Sequence, residues 1–152
     1  MTQKSTLSKE KQKGSTFEVL SRDLISRMLG TVLHDKAFFF YEDIGKPTGD
    51  FAIGLSDLCS KINTAPSKSL AFHLKRGDFE KWIRESIGDS ELAGRIGKLK
   101  NLKTTWKSDK TMRRKLHTTV TDRVAELQRL WPHALTWPQS DIAQPELVQD
   151  VH

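Results

Sequence analysis

The sequence predicts a mainly α-helical protein, a compact bundle of about five to six helices with at most one short strand and flexible N- and C-terminal tails. Three observations predict it. Apolar residues recur at helical spacing through most of 17–131. Gly is followed at once by Asp at 77–78 and 88–89, the pattern of one helix stopping where the next begins. Only KAFFFYE (36–42) has the short, continuous aromatic character of a strand or a buried extended arm.

Residues 1–14 are polar and basic and read as a disordered tail. A single domain is expected over 15–131. Ser15 and Glu18 form a capping-box pattern, and Phe17, Leu20, Leu24, Met28 and Val32 give the first helix its stripe, to about Leu33. His34-Asp35-Lys36 ends it. The strand at 36–42 is followed by DIGKPTGD (43–50), which its Gly and Pro mark as a loop. FAIGLSDLCSKI (51–62) reads as the second helix, with Leu55, Leu58 and Ile62 on one face. Asn63-Thr64-Ala65-Pro66 breaks it and starts a third, over about 66–76, carrying Leu70 and Leu74.

Gly77 then suits a helix C′ position, where positive φ costs Gly little. Asp78 is placed to cap the fourth helix, whose Phe79, Trp82, Ile83 and Ile87 form a buried face. Gly88 stops it and Asp89 caps the fifth, which carries Leu92, Ile96, Leu99 and Trp106. Asp109 is the expected cap of a long last helix, with Met112, Leu116, Val120, Val124, Leu127 and Trp131 as its stripe and Pro132 as its end. Residues 132–152, with Pro138 and Pro145, read as a loose acidic tail.

Composition narrows function by exclusion. The chain has 152 residues and one cysteine, Cys59, so no intrachain disulfide is possible. The five histidines are scattered, and no Cys/His group has zinc spacing, so no metal and no cofactor is expected. No apolar run reaches the roughly 18 residues of a membrane span, and the N-terminus lacks the apolar core of a signal peptide. A cytoplasmic protein with no membrane partner is the expectation. No nucleophile elbow or outstanding carboxylate pair marks a catalytic centre, so no catalytic residue is assigned and no enzyme is expected.

The net charge of +6 is unevenly placed. Residues 95–123 hold ten Lys/Arg against two Asp, a local +8. Residues 1–16 carry +3, and the tail 132–152 carries −3. The segment RIGKLKNLKTTWKSDKTMRRK (95–115) concentrates the positive charge. Phosphate recognition needs cations at loose spacing rather than a strict motif. The candidate nucleic-acid contacts are therefore Lys98, Lys100, Lys103, Lys107, Lys110, Arg113, Arg114 and Lys115. Trp106 either stacks on a base or extends the buried stripe of Leu92, Ile96 and Leu99. The competing structural reading of the whole segment is a solvated helix face.

AFHLKRGDFEKWI (71–83) is the second candidate. His73, Lys75, Arg76 and Asp78 read either as a capped helix corner or as a small anion- or partner-binding cluster beside a helix start. Gly94-Arg95-Ile96-Gly97 matches the G-x-x-G of a KH domain, but that fold needs a three-stranded sheet. Gly45-Lys46 fails the Walker spacing, with Phe40 where the first Gly belongs.

Three stretches carry a resemblance to a known family: FYEDIGKPTGDFAIGLSDL (40–58), SLAFHLKRGDFEKWI (69–83) and GDSELAGRI (88–96). Over about 38–130 the chain resembles an uncharacterised prokaryotic family catalogued as domain of unknown function 5752. The second stretch is similar to its Phe-His-x-x-Arg-Gly-Asp-Phe-x-x-Trp-Ile signature. The resemblance implies a mostly helical unit without an established activity. Any site shared with the family falls on His73, Arg76, Asp78, Phe79 and Trp82. Gly54 departs from the usual pattern, and 95–115 is more basic than the family leads one to expect. The function expected is non-enzymatic binding of nucleic acid, DNA or RNA, through 95–115 with little sequence specificity. The alternative is a protein-interaction or regulatory module using the 70–83 corner.

Overall fold

Six helices and one β-hairpin make up residues 22–131, which a computed structural model describes. The tails expected at 1–14 and 132–152, and the capping box at Ser15 and Glu18, lie outside the described residues. The mainly α class holds. Helix α1 covers 22–29 and stops at Gly30, short of Leu33. Its backbone leaves the helix to join the hairpin: Thr31 bridges Gly54, and the Val32 N–H donates to the Ile53 carbonyl at 2.8 Å. His34–Lys36 is a single 3-10 turn.

The expected strand is β1, Phe38–Asp43. It has a partner in β2, Lys46–Ala52, where a loop and the start of a helix were expected. The two run antiparallel around a two-residue turn, Ile44-Gly45, with Asp43 opposite Lys46. Gly45 takes φ 73°, and the Asp43 carboxylate accepts from the Ile44 N–H at 2.8 Å. Both strands are edges, which is why Pro47 is tolerated opposite Tyr41, beside an irregularity in register. Phe38 and Phe40 are buried and Phe39 is exposed, the alternation of a strand with one covered face.

Helix α2 therefore starts later than Phe51, at Leu55, and runs to Thr64. Its preceding Gly54 approaches α1 so closely that a Cβ there would lie 2.8 Å from the Gly30 carbonyl oxygen. Helix α3 spans Ser67–Arg76 and ends at Gly77 with φ 77°. Helix α4, Asp78–Trp82, continues as a π-turn over Ile83–Ile87, because the Gly88 and Asp89 N–H groups both return to the Ile83 carbonyl. Helix α5, Ser90–Lys100, is capped as expected by Asp89, whose carboxylate accepts from the Leu92 N–H at 3.0 Å. A 3-10 turn, Lys103–Trp106, separates it from α6, Asp109–Leu130.

Two expected caps are displaced. Ser108, not Asp109, caps α6, accepting from the Thr111 N–H at 3.0 Å. Asp78 is the first residue of α4 and gives it no side-chain cap, because its carboxylate is turned to His73 and Arg76. The apolar stripes meet as predicted. Leu55, Leu58 and Ile62 of α2, Leu70 and Leu74 of α3, Phe79 and Ile83, Leu92 and Ile96 of α5, and Met112, Leu116 and Val120 of α6 form one buried cluster with Phe38 and Phe40. The hairpin lies on α3 and covers that end of the core.

Candidate nucleic-acid interface

Helix α3 divides the expected corner between two surfaces. His73 points inward and is 4 % exposed. Its Nε2 accepts the Tyr41 backbone N–H at 2.8 Å. A backbone N–H only donates, so Nε2 carries no proton and the ring proton sits on Nδ1. Nδ1–H then donates to Asp78 Oδ2 at 2.8 Å, and Arg76 Nε donates to the same oxygen at 3.1 Å. Burial among Phe38, Phe40, Phe72 and Phe79 lowers the His73 pKa below the ordinary imidazole value, against the opposing pull of Asp78. The Arg76 guanidinium lies over the Phe72 ring at 4.9 Å. Each of these polar groups has an internal partner. Together they pin the hairpin to α3 and α3 to α4.

A shallow cleft of about 330 Å³ opens beside this cluster, lined by Phe39, Tyr41, Ile44, Phe72 and Arg76 among others. Its neighbours Ile44 and Phe39 are exposed.

Lys75 faces the other way. Together with Lys100, Trp106, Lys107, Ser108 and Asp109 it lines a groove of about 540 Å³, floored by Ala71 and Met112. The two candidate regions of the sequence therefore meet here, through Lys75 rather than through His73. Trp106 is half-buried. The end of α5 positions it: its Nε1–H donates to the Lys100 carbonyl at 3.0 Å, satisfying a carbonyl that the ending helix leaves free. So Trp106 does not extend the α5 stripe. It is folded back against it by the 3-10 turn. The Lys75 ammonium stands 5.2 Å from its ring centroid, within cation–π range.

The predicted cations fall into two groups. Arg113 has turned away from solvent: Nη1 donates to the Ile62 and Ala65 carbonyls at 2.7 and 2.6 Å, and Nη2 to Ser67 Oγ at 2.8 Å. It closes the α2–α3 junction, which corrects its assignment as a phosphate contact. Lys100 is half-buried, with Nζ 3.1 Å from Glu80 Oε1 but off the hydrogen-bond direction, so the contact is one of charge. Lys98, Lys103, Lys107, Lys110 and Arg114 are exposed, and Lys115 is half-exposed. Among the described residues, none of these six is in an ion pair.

Asp89, Glu91 and Arg95 form an ion-pair network with Arg123 and Glu126 of α6. Buried Asp89 takes two hydrogen bonds from Arg123, at 2.8 and 3.1 Å. Arg123 and Arg95 share Glu126, and Arg95 also reaches Glu91. Arg95 and Arg123 together hold the Glu126 carboxyl below its ordinary pKa, Arg95 contributing most. The Gly94–Gly97 stretch is an interior turn of α5 and offers no backbone-clamping loop. Among the described residues no group of His, Cys, Asp and Glu is placed to hold a metal, and no helix is long and apolar enough to cross a membrane.

Sequence reasoning missed the assignment of Lys75 to the basic groove. The signal was present: on α3, Ala71 and Lys75 lie four apart, on a different face from Leu70, His73 and Leu74. It also missed the Tyr41 N–H as the partner of His73, which no local pattern encodes. Comparison with protein-family models, with curated proteins and with solved structures finds no match for this chain.

Proposed function

We propose that this is a non-enzymatic, cytoplasmic protein that binds nucleic acid through the basic surface around the groove, with little sequence preference. The observation that carries the reading is the gathering of Lys75, Lys100 and Lys107 around half-buried Trp106, flanked by exposed Lys98, Lys103, Lys110 and Arg114. Apart from Lys100, which faces Glu80, these cations have no carboxylate partner among the described residues and are free to exchange counterions for phosphates, which is the main source of non-specific affinity. The Lys residues sit on long flexible stems, suited to a backbone and not to a fixed base edge. Membership of the domain family that residues 38–130 resemble belongs to the same proposal and adds no activity to it.

The test is binding of labelled duplex DNA and single-stranded RNA across a salt series. About five phosphate contacts give a slope of log K against log salt near −4.5 on duplex DNA and near −3.5 on a single strand. A flat salt response contradicts the reading. The second reading, a protein partner at the 70–83 corner, draws on exposed Phe39 and Ile44 beside the 330 Å³ cleft. It gains if a stoichiometric protein partner survives nuclease treatment and is lost on Ile44→Asp.

A further inference from the structure

The groove has features that a duplex backbone does not use. A duplex keeps its bases stacked inside and meets a protein through its phosphates and groove edges. Here the cations surround an open groove of about 540 Å³, a volume in the range of roughly 300–1,000 Å³ typical of small-ligand sites. One wall of it is an aromatic ring held in place. Trp106 Nε1 is fixed on the Lys100 carbonyl, so the plane of the indole is set before any ligand arrives. Its ring is covered by an exposed, flexible lysine and not by packed side chains alone: the Lys75 ammonium stands 5.2 Å from the ring centroid.

We infer that this groove takes one unstacked base of a single-stranded nucleic acid against Trp106, with the neighbouring phosphates on Lys75, Lys100 and Lys107. The inference rests on the proposed function and names the form of nucleic acid bound. The incoming base replaces Lys75 on the indole face, and the displaced ammonium remains at the rim, where the backbone passes. Every base has a π-face, so stacking of this kind adds affinity without choosing a sequence. Asp109 lines the same groove. Its carboxylate repels a phosphate placed against the first turn of α6, and so keeps the backbone along the three lysines.

The experiment compares, on the full-length wild-type chain, a fluorescein-labelled thymidine decamer with an abasic decamer of equal phosphate number, and with the decamer duplex. Affinity is read by anisotropy at two salt concentrations. The thymidine decamer is expected to bind about tenfold tighter than the abasic chain. Their salt slopes should be equal, because the phosphate contacts are the same. Trp106→Leu should remove the difference, while Trp106→Phe keeps part of it. Equal affinity for the thymidine and abasic chains overturns the inference and leaves the basic surface standing. So does tighter binding of the duplex than of the single strand. No binding of any of the three overturns the proposed function itself. The wild-type comparison needs no variant, so the outcome does not depend on how Trp106→Leu folds.

Discussion

Lys75 and Arg76 are neighbours in sequence and belong to different parts of the molecule. Arg76 lies on the hairpin side of α3, where His73, Asp78 and the Tyr41 N–H satisfy one another. Lys75 lies on the other side, where Lys107 and its exposed neighbours have no carboxylate partners among the described residues. The difference separates polar groups that hold a fold together from polar groups left available. A buried polar group that has its hydrogen bonds stabilises one arrangement and is costly to disturb. Exposed, unpaired cations contribute little to stability, so their removal should be visible in binding alone.

The largest expected effect lies on the hairpin side. Phe79 is fully buried and stacked on Phe38, with ring centroids 4.8 Å apart. Phe79→Ala should cost about 3–5 kcal/mol, measured by urea unfolding. Retention of wild-type stability would mean that the aromatic cluster does not organise this end of the core. Arg113 provides the next test, because it sits in the basic segment but behaves as a structural group. Arg113→Ala removes a charged donor from three acceptors and should destabilise by about 2 kcal/mol. Its effect on binding should be no larger than that lost stability explains.

His73 supplies a pH test. Its folded pKa is depressed by burial, so the unfolded chain takes up its proton first as pH falls. The stability it contributes is complete above the ordinary imidazole value of about 6.5 and is lost progressively below it. Protonation also puts a second N–H on Nε2, facing the Tyr41 N–H. Thermal stability should therefore fall between pH 7 and pH 5, and His73→Gln should flatten that fall. Glu126, whose pKa is lowered by Arg95 and Arg123, acts in a more acidic window, below its ordinary value near 4.5. A slope between pH 7 and 5 that survives His73→Gln would contradict this assignment. The smallest effect belongs to the exposed cations flanking the groove: Lys103→Gln with Lys110→Gln should move stability by less than about 0.5 kcal/mol.

These predictions also show what the sequence made legible. The stripes of α2, α3, α5 and α6 were plain, because helical spacing is a local property of the chain. Gly88 with Asp89 was read correctly for the same reason: stop and cap are adjacent. The hairpin was missed because its Gly and Pro residues carry a loop signature, and only pairing with β1 turns Lys46–Ala52 into a strand. Asp78 has the sequence of a cap, yet a histidine five residues away takes its carboxylate. Arg113 was misassigned because its acceptors, Ile62, Ala65 and Ser67, lie more than forty residues away. The charge of the site was readable, since charge needs no partner. Which cations are free was not, since that depends on tertiary contacts.

The most direct test of the central claim uses the two neighbours on α3. Lys75→Gln and Arg76→Gln remove the same charge one residue apart, and each variant is titrated with the same labelled single-stranded oligonucleotide over a salt series. Lys75→Gln should weaken binding and reduce the magnitude of the salt slope by about 0.7, one phosphate contact on a single strand. Arg76→Gln should leave both affinity and slope at their wild-type values. Equal losses from the two variants, or a larger loss from Arg76→Gln, would contradict the assignment of binding to the groove.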